Sequence, residues 1–91
     1  MRRSEDVIRE YNMSAMAMPD GAWSHEFANP RMEPASGSGR IRLQFNVWVA
    51  SETAWVKSHL YLSTTDADKE IGRLHGRARR HAAACKKRKR R

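Results

Sequence analysis

Between Arg40 and Leu62 apolar residues fall on every second position. Ile41, Leu43, Phe45, Val47 and Val49 alternate with Arg40, Arg42, Gln44, Asn46 and Trp48, the period of a strand buried on one face. After Ala50–Thr53 the phase resumes, with Ala54, Val56, Ser58, Leu60 and Leu62 against Trp55, Lys57, His59 and Tyr61. A tight turn centred on Ser51 and Glu52 makes a hairpin that pairs Val49 with Ala54, Val47 with Val56, Phe45 with Ser58, Leu43 with Leu60 and Ile41 with Leu62. The same register sets Trp48 against Trp55, Asn46 against Lys57, Gln44 against His59 and Arg42 against Tyr61 on the other face. A slip of one residue would destroy both sets, so the two patterns select this register together.

On both sides of the hairpin helical spacing appears. Val7, Ile8, Tyr11 and Ala15 predict a helix over residues 5–16, with Ser4 as N-cap and Glu5 and Asp6 where the helix dipole favours acids. Ala67, Ile71, Leu74, Ala78, Ala82 and Cys85 stand at spacings of four, three, four, four and three, an amphipathic helix with Thr65 and Asp68 in a capping-box arrangement. Gly72 and Gly76 lie inside it at a cost of about 1 kcal/mol each relative to Ala, which implies close packing against the sheet or local fraying. Met13, Met16 and Met18 are expected to fill the core, with an adaptable surface for a protein partner as the alternative.

Pro19-Asp20-Gly21 ends the first helix. Trp23, His25 and Phe27 then alternate with Ser24 and Glu26 and predict a short first strand over residues 22–28. Pro30, Pro34 and the repeat Ser36-Gly37-Ser38-Gly39 predict a loop over residues 29–39. The expected fold is therefore a small single α+β domain, residues 1–85, in helix-strand-strand-strand-helix order. Its three-stranded antiparallel sheet carries the helices on one face, and a basic C-terminal tail follows at residues 86–91.

Charge adds a function class to this picture. The 91 residues suffice for one domain and are too few for a core plus the lobes of an enzyme cleft. Of the formal net charge of +8, residues 73–91 hold ten Lys or Arg and no acid, which leaves residues 1–72 at −2. Concentrated positive charge attracts polyanions by releasing their counterions, so DNA or RNA leads as partner and an anionic membrane surface comes second. Arg73, Arg77 and Arg80 form a stripe offset from the apolar one. With Arg79 and the run Lys86, Lys87, Arg88, Lys89, Arg90 and Arg91, they are the primary candidates for phosphate contact. The polar face of the hairpin adds Arg40, Arg42, Trp48, Trp55, Lys57 and Tyr61, cations and aromatics suited to phosphates and bases. For Trp48 and Trp55 the alternative is a cross-strand pair that stabilises the hairpin, or packing under another element such as the residue 29–39 loop.

The order of one helix, three strands and one helix resembles the double-stranded-RNA-binding domain. Residues 42–83, with their hairpin and the capped helix start Ser63-Thr64-Thr65-Asp66, are similar to the plant ethylene-response-factor domain and the arm-binding domain of tyrosine-family integrases. Both resemblances imply nucleic-acid binding. The RNA-binding family's Lys-Lys-x-Ala-Lys cluster is replaced here by the acidic stretch Thr65–Glu70, so no family residue is carried over.

Other chemistry is sparse. His25, His59, His75 and His81 show no ligand spacing, His81 with Cys85 supplies at most two ligands where structural zinc takes four, and no nucleophile with a base and an orienting group is visible. No enzyme activity, metal or cofactor is expected. A single cysteine, no apolar run of membrane-spanning length, and Ser4-Glu5-Asp6 where a leader would turn apolar predict an intracellular protein, nuclear if its host is eukaryotic. The competing function is a small regulator, in the manner of a viral or phage inhibitor, that docks on a protein partner. A self-associating assembly subunit whose tail neutralises nucleic acid is the other rival.

Overall fold

The computed structural model describes residues 2–19, 21–35 and 39–89, with residues 86–89 described by their backbone alone. Helix α1 spans Ser4–Met16, strands β1, β2 and β3 span Phe27–Pro34, Ile41–Val49 and Ala54–Leu62, and helix α2 spans Thr64–Lys89. The strands form one antiparallel sheet in the order β1-β2-β3. This is the predicted α+β order.

The β2–β3 hairpin has the register that the alternation selects, from Val49 opposite Ala54 to Ile41 opposite Leu62, with Trp48 opposite Trp55. One face of the sheet, here the inner face, meets both helices. Val7 and Tyr11 of α1, Met32 of β1, Ile41 and Leu43 of β2, and Ala67, Ile71 and Leu74 of α2 form the buried core. The cover is partial, because β3 is left open at positions along the same face: Val56 is 40% and Leu60 52% exposed.

Three local expectations need correction. The first strand runs over Phe27–Pro34, so most of the segment read as a loop is strand, and residues 22–26 are turn and irregular structure instead. Prolines fit there because β1 is an edge strand. Ala35 N–H donates to Arg40 O at 3.0 Å, and Met32 N–H donates to the Asn12 side chain on the far side. A residue of Met32's parity, such as Pro34, therefore points its nitrogen away from β2 and loses no ladder bond. Pro30 sits where the register shifts between Ala28 and Arg31, next to Asn29 at φ 53°, in a bulge that interrupts pairing.

The caps also move. Arg3 holds the N-cap position of α1, and the Ser4 hydroxyl instead shares a 2.7 Å hydrogen bond with Thr64 Oγ1 at the start of α2. For α2 the cap is Ser63, whose Oγ accepts from Asp66 N–H at 3.1 Å, in place of Thr65. The third correction concerns methionine: Met13 and Met16 are 65% and 86% exposed, and only Met18 packs against the core.

Candidate nucleic-acid interface

The predicted apolar stripe of α2 enters the core with Ala67, Ile71 and Leu74 and leaves it after Leu74. Ala78 and Cys85 are half-buried and Ala82 is exposed, as are Ala83 and Ala84. The first part of the helix is thus a packed element. Its remainder, beyond His81 beside Gly21, projects with little apolar cover.

Along the flank of α2 runs a cleft of about 550 Å³. Lys69, Arg73, Arg77 and Arg80 line it from the helix, and Trp23, Phe27 and Tyr11 from the opposite side. Arg77 anchors the wall: its guanidinium carbon lies 5.6 Å from the Trp23 ring centroid and 5.9 Å from that of Phe27, and it donates to Ala22 O at 3.3 Å. Phe27 in turn meets Phe45 of β2 at 5.2 Å between centroids. The acid of the cleft, Glu70, accepts from Arg73 one turn along the helix. Cation–π contact and hydrogen bonding fix Arg77 and the Glu70 pairing partly neutralises Arg73, while Lys69 and Arg80 are exposed and available to an anion.

Tyr11 is 4% exposed, and burial pushes its phenol up to about 12, against a smaller opposing pull from Arg77. It stays a neutral donor at physiological pH. Gly72 and Gly76 line the cleft as well. A Cβ on Gly72 would meet nothing within 4 Å, and one on Gly76 would meet only Arg80 Nη1, at 3.5 Å. Neither the close sheet packing nor the fraying expected of them is present: α2 is continuous through both.

The hairpin candidates occupy the opposite, outer face of the sheet. Trp48 and Trp55 form an edge-on pair with centroids 5.6 Å apart, as the cross-strand reading has it. His59 and Tyr61 pack edge-on at 5.2 Å. Arg42 donates through Nε to Glu33 Oε1 at 2.6 Å, Gln44 donates to the same oxygen, and this pairing raises the Arg42 pKa. Arg42 is therefore partly neutralised. Arg40, Trp55, Lys57 and Tyr61 remain exposed, and Arg31, which sequence reasoning passed over, lies opposite Gln44 on the same face.

The candidate residues thus divide between two surfaces separated by the sheet, the α2 flank with Arg73, Arg77 and Arg80, and the outer sheet face. Arg79 is exposed but does not line the cleft. The side chains of Lys86, Lys87, Arg88 and Lys89, and all of Arg90 and Arg91, lie outside the described residues. Lys69 was legible as one further turn of the arginine stripe. Trp23, Phe27 and Tyr11 were not, because nothing local brings them to α2. Among the described residues no group of three His, Cys, Asp or Glu side chains could hold a metal ion, and no helix is long and apolar enough to cross a membrane. Comparison with protein-family models, curated proteins and solved structures finds no match to the chain.

Proposed function

We propose that this protein binds nucleic acid, without catalysis, along the cationic flank of α2, with the basic residues at the end of the chain extending the contact. The reading is carried by one observation: Lys69, Arg73, Arg77 and Arg80 line a single cleft whose acid, Glu70, is occupied by Arg73. A row of cations on a helix that projects from its domain follows a phosphate backbone without needing a sequence-specific contact. Arg31, Lys57, Trp55 and Tyr61 on the outer sheet face form a second, weaker candidate surface, because it shares its space with Glu33. An intracellular location goes with this reading.

The test uses the full chain and a Lys69→Gln, Arg73→Gln, Arg80→Gln variant, whose three side chains are exposed. Binding to duplex DNA, duplex RNA and single strands is followed across a salt series. The expected result with DNA duplex is a log–log salt slope shallower by about 0.9 for each phosphate contact removed. Unchanged affinity and slope would remove α2 as the interface.

A second reading, contact with a protein or another copy of the chain, is favoured by the exposed Met13, Met16, Val56 and Leu60. Sedimentation of the isolated protein over a concentration series tests the self-contact form of this reading. A monomer at all concentrations argues against self-assembly.

A further inference from the structure

Gly72 and Gly76 weaken α2, and the fold draws no packing from them. Each costs about 1 kcal/mol in helix propensity relative to Ala, neither has a positive φ, and the space a side chain would take is open. What their absence of side chains does provide is a stretch of bare helix backbone over two successive turns along the cleft. On one side stands the Arg77 guanidinium against Trp23 and Phe27, a stacking surface for a flat ring. The exposed side chains of Lys69, Arg73 and Arg80 line the cleft as well. Tyr11, a largely buried phenol, lines the same cleft.

We infer that this cleft receives one unpaired nucleotide of a single-stranded segment, its base layered on Arg77 and Trp23 and its phosphate held by Arg73 and Arg80. The inference rests on the nucleic-acid reading above and adds to it a preference for unpaired strands. A cleft of about 550 Å³ falls within the ordinary range for small-ligand sites. Bases stack on guanidinium and aromatic planes only when they are splayed out of a helix. A duplex presents phosphates to the lining cations but no base face to Arg77. The Tyr11 hydroxyl supplies a donor to the base or sugar that enters.

The experiment compares Gly72→Leu with the unaltered chain, using a labelled short single strand and a blunt duplex of equal length across a salt series. Leu restores helix propensity and meets no atom of the fold at its Cβ, so a thermal melt should show the variant at least as stable as the parent. We expect it to weaken the single strand roughly tenfold and leave the duplex as it was. Tyr11→Phe, which keeps the ring and removes the donor, should produce a smaller loss confined to the single strand. If Gly72→Leu leaves both ligands unaffected, or weakens both equally, while the parent binds with a steep salt slope, the cleft inference is overturned and nucleic-acid binding stands. If the parent binds neither ligand, both fall.

Discussion

The side chain of Asn12 pairs with the backbone of Met32 in both directions: Nδ2 donates to Met32 O at 2.9 Å and Oδ1 accepts from Met32 N–H at 2.8 Å. An amide side chain on α1 thus takes the place that a fourth strand would have beside β1. It ties the helix to the edge of the sheet and satisfies two backbone groups in a partly buried setting.

Removing this clamp leaves both Met32 groups unpaired. Asn12→Ala should cost about 1–3 kcal/mol in urea unfolding. Asn12→Asp keeps the acceptor and loses the donor, so it too should destabilise. Amide exchange at Met32 should accelerate in the Ala variant ahead of amides in β2. An unchanged Met32 amide would show that β1 is held by the ladder alone.

Helix α2 offers a pair of substitutions with opposite signs. Ser63→Ala removes the acceptor for Asp66 N–H and should cost about 1 kcal/mol. Gly72→Ala adds a Cβ to open space and should stabilise by up to about 1 kcal/mol. Chemical denaturation midpoints that move in the same direction for both would contradict this account of the helix.

Leu43 and Leu60 stand opposite each other on the inner face, yet one is buried and the other 52% exposed. Leu43→Ala should cost about 2–5 kcal/mol, as in other buried cores. Leu60→Ala should cost well under half of that. Equal losses would mean that something covers β3 in solution, and a concentration-dependent melting temperature would identify it as a second copy.

The phenol of Tyr11 gives a pH prediction. Its folded pKa of about 12 lies above the unfolded value of 10. The unfolded chain therefore releases the proton first, so stability is fully present below pH 10 and is lost as pH rises towards 12. Equilibrium unfolding should show a steeper fall across that window for the native chain than for Tyr11→Phe. Parallel curves would place the phenol in water.

Much of this architecture was legible in residue order. Strict alternation over Arg40–Leu62 determined the hairpin and its register, since the period-two geometry of a strand leaves one solution that keeps both faces consistent. Helical spacing located both helices, and the arginine stripe located the cations. β1 was hidden because Pro30 and Pro34 signal a loop in any local reading, and only the edge position, with Asn12 beside it, makes them compatible with a strand. The cleft was hidden for a related reason. Periodicity tells which face of Ile41 or Leu74 turns inward, but not how far two helices reach across a sheet. Tertiary packing decided that the cover stops short of Val56 and Leu60, that Trp23, Phe27 and Tyr11 meet the flank of α2, and that two cationic surfaces face away from each other. These relations join residues distant in the chain, and no local period encodes them.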